Sequence, residues 1–164
     1  MSKINKLPNT VPVFPLSNFI FFPNTSAPLN IFEPRYIQMI DESMKTNRMI
    51  GMAQPKGTST KDKPDLFHVG CLGKISSFNE TEDGRYVIVL NGVTRFNMIE
   101  EIDNGKSFRE FKINFKNFES DIDGKKLNIN FSDLDNIISS LKKIFEKQGY
   151  LINWNELEKQ SLDQ

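Results

Sequence analysis

The side chains that most often carry chemistry are scarce in this sequence. One histidine, His68, and one cysteine, Cys71, are its only imidazole and thiol, the pair that a nucleophile and its base would need. They stand three apart in a stretch, Phe67 to Phe78, that reads as a strand. Odd separation along a strand sends two side chains to opposite faces, so the pair points apart. Two ligands also fall short of the three or four that a zinc ion takes. Gly124-Lys125-Lys126 lacks the earlier glycine and the Ser or Thr of a phosphate-binding loop, and no Gly-x-Ser-x-Gly elbow occurs. The carboxylates at Asp41/Glu42, Glu80/Glu82/Asp83 and Glu100/Glu101 fall in helix, turn and strand-end contexts and read as solvated faces. The expectation is a chain with no catalytic residue, no metal and no cofactor, and with neither ATPase nor peptidase activity.

Binding is better served. Phe19-Ile20-Phe21-Phe22 is a continuous apolar run between the turn signals Ser17-Asn18 and Pro23-Asn24. Such a run is either a buried strand or a partly exposed patch that serves as an interaction site. The second reading makes Phe19, Ile20, Phe21 and Phe22 the candidate protein-binding residues. Lys112 and Lys116, beside Phe111, Phe115 and Phe118, resemble a basic-aromatic strip for nucleic acid. Their alternation puts Phe111 and Phe115 opposite the lysines, which is the pattern of a core face and a solvated face.

Several elements must position these residues. Val11-Pro-Val-Phe-Pro-Leu16 carries two prolines and is expected at a sheet edge or as an irregular strand. Pro28 to Phe32 reads as a short strand. Glu33-Pro34 opens a helix, proline suiting a first helical position whose N–H has no partner. Met49 to Ala53 and Phe67 to Phe78 are strands. Asp83-Gly84 marks a hairpin. Tyr86 to Leu90 is apolar on both faces, Gly92 interrupts it, and Val93 to Ile102 continues. Phe108 to Phe118 alternates as a half-exposed strand. Glycines at 70, 73 and 92 suggest bends and hence a curled, mostly antiparallel sheet or small barrel. After a polar connector at 119–131, residues 132–164 read as helical. Ser132 caps a helix that Gly149 ends, a second helix starts at Asn153, and the helical region is expected to continue past Gln164.

Composition narrows the class. The chain has 164 residues, enough for one domain with a small appendage. Its 14 phenylalanines argue for a packed core. Lys plus Arg and Asp plus Glu both number 21, so the basic excess of a nucleic-acid binder is absent. Residues 1–10 are polar and read as a flexible N-terminus with no secretory h-region. The apolar runs are far too short to span a membrane. A single cysteine fits a reducing compartment, and the expected location is the cytoplasm.

Taken in order, the short motifs resemble one family. They are Val13-Phe-Pro-Leu16 with Phe22-Pro23, then Pro28-Leu-Asn-Ile-Phe-Glu-Pro-Arg-Tyr36, then Ile50-Gly51-Met52, Val69-Gly-Cys71 with Gly73, Asp83-Gly-Arg85, and Gly92-Val-Thr-Arg-Phe96. Together they resemble the Lon protease N-terminal, or substrate-binding, domain family over residues 11–118. The resemblance implies an α+β fold: a PUA-like antiparallel β-barrel with one inserted helix, followed by C-terminal helices. In full Lon proteases an ATPase and a Ser-Lys protease module follow, and 164 residues have no room for either. The implied function is therefore a stand-alone, non-catalytic module that binds unfolded or tagged protein substrates and acts as an adaptor or regulator of a protease. The alternative is RNA binding, which PUA-like barrels also perform. The motif residues Glu33, Pro34, Arg35, Tyr36, Gly70, Asp83, Gly84, Arg85, Gly92, Arg95 and Phe96 read as scaffold. Arg35 and Arg95 sit beside aromatics and are expected in buried ion pairs. Glu33, or another acid, is expected to accept from Arg95 and so tie the helix start to the sheet.

Overall fold

A computed structural model describes residues 7–57, 63–123, 131–149 and 154. The second helix expected from Asn153 lies, but for residue 154, outside them, as do residues 1–6 of the N-terminus. The longest strand is β5 (Tyr86–Ile102), which pairs along its length with three other strands: β2 (Ser26–Ile31), β4 (Val69–Glu80) and β6 (Arg109–Asn114). With β1 (Thr10–Pro15) and β3 (Met49–Ala53) the strands run in the order β2-β5-β4-β3-β1-β6, and the β5–β6 ladder closes them into a ring that leaves β2 outside. Helix α1 (Pro34–Met44) is inserted between β2 and β3, and α2 (Glu119–Asp123) follows β6.

The ring differs from the expected one in several places. β1 is no edge strand: it pairs antiparallel with β6 over Thr10 to Val13 and parallel with β3 over Val13 to Pro15. The two prolines are tolerated because the ladders are offset. Pro12 precedes the first β3 partner and Pro15 follows the last β6 partner, so each missing N–H falls where one ladder is absent. The β1–β3 pair also makes the sheet mixed rather than wholly antiparallel. Phe67 and His68 precede β4 instead of opening it, and Phe19 to Phe22 forms no strand. Gly92 does not interrupt β5, which runs through it. Nor is the start of β5 apolar on two buried faces: Ile88 and Leu90 are sealed, whereas Val87 is 40% exposed. Within the expected connector, α2 is helical.

Adjacent residues in a strand face opposite sides, and the core divides accordingly. Val11, Val13, Ala53, Leu72, Phe96, Phe111 and Ile113 come from all five strands of the ring and pack together. Phe14, Ile31, Ile75, Ile88 and Leu90 pack on the other face with Tyr36, Met39 and Ile40 of α1. Phe96 is fully buried because Gly51 and Gly70 leave its ring the space: a Cβ at either position would overlap it. Gly70 is thus needed for close packing, not for a bend. The sheet is irregular at three other points: between Leu72 and Gly73, where the partners step from Thr94 to Gly92, between Ile75 and Ser77, and between Met98 and Glu100. At the β4–β5 tip, Gly84 takes φ 78° in the tight turn that Asp83-Gly84 foretells.

The chain divides into two compact units, Met1–Lys125 and Lys126–Gln164. The second contains α3 (Phe131–Lys147). Phe131 is already helical, so Ser132 lies within the helix and is not its cap. Ile137, Leu141 and Ile144 are exposed along it, and the Phe145 ring lies 5.8 Å from that of Trp154.

Candidate binding groove

The apolar run Phe19 to Phe22 lies in the loop between β1 and β2. Asn18 and Asn24 bracket it with φ of 58° and 60°, the left-handed conformation that asparagine tolerates better than most residues. Between them burial alternates from residue to residue. Phe21 is 7% exposed and packs in the α1-side core, with the Phe19 ring stacked at 6.1 Å. Ile20 and Phe22, at 64% and 56%, face solvent. Burial thus alternates along the run, with Phe19 and Phe21 turned to the core and Ile20 and Phe22 to solvent. The backbone is fastened at each end: Gln54 Nε2 donates to the Phe19 carbonyl at 3.3 Å and Thr25 Oγ1 to the Phe22 carbonyl at 2.8 Å.

Across from the loop stand Phe67 and Val69, half exposed. The Phe67 N–H donates to Gln54 O at 3.0 Å, beside a bridge between Pro55 and Leu66, and Val69 pairs with Asn97 of β5. Between the two walls lies an open groove of about 310 Å³, whose lining includes Met52, Ala53, Gly70 and Cys71. Cys71 is buried, and that desolvation pushes its thiol up to about 12, so it is neutral apolar lining and no nucleophile.

Arg95 is the groove's charged residue, and its partner is not Glu33. Asp121 of α2 accepts from the Arg95 backbone N–H at 3.0 Å, from Nε at 2.9 Å and from the terminal nitrogen at 2.7 Å. The guanidinium also lies 4.6 Å over the Phe118 ring. Hydrogen bonds from Arg95 hold the Asp121 carboxyl below its usual range. The pair fastens α2 to β5 instead of tying the helix start to the sheet. It is not buried either, since the Arg95 side chain is 44% exposed. Glu33 pairs with Arg35, its neighbour but one, at 2.8 Å, and both of those side chains are open to solvent.

The remaining scaffold residues are dispersed. Glu33, Arg35 and Tyr36 line a second, larger and more polar groove of about 600 Å³, where Arg109 pairs with Glu101 at 2.7 Å and Lys106 with Glu42 at 2.8 Å. Asp83 and Arg85 pair at 2.8 Å on the hairpin tip. Phe96 and Gly70 belong to the core. Phe111 and Phe115 are buried, and Lys112 on the other face is paired with Glu100 at 2.8 Å. Among the described residues no group of His, Cys, Asp and Glu is placed to hold a metal ion. Phe67, Val69, Met52 and Gln54 are not among the binding residues that the sequence suggests, although Met52 and Val69 stand in the family motifs. The local signal for Phe67 is its apolar character next to a turn-rich stretch.

Comparison with known proteins agrees with the motifs. The family model described as the ATP-dependent protease La (LON) substrate-binding domain matches residues 10–164. The chain is 34% identical over 94 residues to a Lon protease of Desulfosudis oleivorans, covering 56% of this chain and 12% of that protein. It is 26% identical over 151 residues to a Lon protease of Syntrophus aciditrophicus, covering 89% of this chain and 18% of that one. It thus spans less than a fifth of the length of these relatives. Among solved structures, a Lon N-terminal domain protein from Xanthomonas campestris superposes with a TM-score of 0.51 at 22% identity, over 64% of this chain and 58% of that one. The N-terminal domain of a Mycobacterium avium complex Lon protease gives 0.50 at 16%, over 64% and 53%.

Proposed function

Because the chain belongs to the LON substrate-binding domain family, we propose that it is a non-catalytic module that captures apolar segments of unfolded or tagged proteins in the groove beside Phe19 to Phe22. The observation that carries this reading is the alternation of that run. Phe19 and Phe21 anchor the loop in the core, and the anchoring holds Ile20 and Phe22 out in water. Exposed aromatic and aliphatic side chains around an apolar concavity are what a protein-binding surface needs at its centre. Arg95 at the edge is neutralised by Asp121, so the groove selects for apolar character more than for charge.

The wider role we infer is that of an adaptor or regulator working with a protease in the cytoplasm. Its likeness to Lon proteases supports the association with proteolysis. On the same grounds the closed ring is read as PUA-like, with residues 11–118 as the β domain and 132–164 as a helical segment. The test is the double variant Ile20→Ser with Phe22→Ser, assayed for binding to unfolded casein. We expect it to keep the wild-type melting temperature and lose at least about tenfold in affinity, in the range seen when central apolar anchors are truncated. Undiminished binding by the folded variant would place the site elsewhere.

A further inference from the structure

We propose that Gly92 is the positioning residue that sets the width of the apolar groove, and with it a preference for aromatic-sized anchors in the captured chain. The proposal rests on the binding reading above. A Cβ built on Gly92 would overlap the carbonyl oxygen of Phe22, with the Phe22 carbonyl carbon and Pro23 Cα close behind. These are backbone atoms and cannot rotate aside, so any side chain at 92 must move the loop itself.

The loop is also laddered to the same glycine. The Asn24 N–H donates to Gly92 O at 3.0 Å, and the Gly92 N–H donates to Thr25 O at 2.8 Å. Thr25 Oγ1 then closes back onto the Phe22 carbonyl that Gly92 admits. The opposite wall takes its position from the same strand, because Val69 pairs with Asn97 of β5. Both walls are therefore referenced to one continuous strand, Phe22 through Gly92 and Val69 through Asn97. Rigid walls discriminate by size, whereas walls free to move close on any anchor. At about 310 Å³ the groove is at the small end for a ligand site, which suits one or two large apolar side chains rather than a long segment.

The test uses the full chain and two labelled, flexible Gly/Ser-rich peptides, one with three central phenylalanines and one with three central valines, followed by fluorescence anisotropy. The wild-type chain should prefer the phenylalanine peptide about tenfold, in line with the size discrimination of apolar pockets. Gly92→Ala should remain folded by far-UV circular dichroism, and its preference should fall to near one. Gly84→Ala is strained by its φ of 78° but has nothing within reach of the new Cβ, and it should leave the preference unchanged. That ratio reports groove geometry, which general destabilisation does not move. If Gly92→Ala fails to fold, Thr25→Val takes its place, with the preference expected to fall about threefold. An unchanged preference in the folded variant, or a wild-type chain that binds both peptides equally, overturns the role of Gly92. A wild-type chain that binds neither peptide overturns the binding reading itself.

Discussion

Arg95 gives Asp121 two side-chain hydrogen bonds and one from its backbone, and they fasten α2 to the middle of β5. Bonds of this kind are charge-assisted and shorter than neutral ones, but the guanidinium is nearly half exposed and water screens it. Arg95→Ala should therefore cost only about 1 kcal/mol, a melting shift of about 2–4 °C for a chain of this size. A calorimetric shift of 10 °C would mean that the pair supports far more than α2. The pH dependence has a definite sign. The folded-state pKa of Asp121 is lowered from 3.8, chiefly by the hydrogen bonds from Arg95. The stability it contributes is complete above the unfolded value and is lost as pH falls through the folded one. Asp121→Asn should thus be less stable than wild type at neutral pH, and the gap should narrow below about pH 4. Sequence reasoning placed Arg95 at a structural junction but not against its partner. Asp121 stands 26 positions later, in a polar stretch with no periodic signal to mark a helix.

At the scale of elements, what was legible followed from patterns that local sterics enforce. Pro34 starts α1 as its fixed φ demands, Asp83-Gly84 turns the β4–β5 hairpin, and Phe111, Ile113 and Phe115 alternate inward. What was not legible depended on partners distant in sequence. Nothing in Val11 to Leu16 tells that two ladders share β1 with an offset that spares each proline. Nothing in Gly92 tells whether it bends a strand or admits a neighbouring carbonyl. The loop between β1 and β2 shows the limit well: its apolar content marked it, but the division of labour within it needed the core beneath. That division has a measurable consequence. Phe19→Ser with Phe21→Ser removes the loop's anchors, buries or exposes hydroxyls against the α1-side core and should destabilise by about 3 kcal/mol or more. Chemical denaturation of this pair beside the Ile20/Phe22 pair measures the difference. Equal loss of stability in both would show that the whole run is core.

For the molecule as a whole, equal numbers of acidic and basic side chains and an apolar groove mean that the capture proposed above would be driven by desolvation. Affinity for an unfolded protein should change by less than about threefold between 50 and 200 mM salt, whereas a protein that neutralised even six phosphates of RNA would lose about a thousandfold. Titration across that range decides between the two, and a steep negative slope would revive the RNA reading. Family membership was readable from motif order because those motifs lie at turns, helix starts and close contacts that the ring needs. The groove was not, because its walls come from the β1–β2 loop and the approach to β4, which no local pattern links.

Closing the ring also fixes when this chain becomes a protein during its own synthesis. Val11 pairs with Phe111, about a hundred positions on. At a typical elongation rate, β1 leaves the ribosome roughly 5–20 s before β6 exists to pair with it. Through that interval Val11 and Val13 lack their β6 partners, and the internal core that all five strands build cannot be sealed. Loop closure of this length must be met before its contacts repay it, which places folding among the slower topologies. The nascent chain therefore spends seconds as an unfolded, aromatic-rich polypeptide, with the very character that its finished groove is proposed to capture.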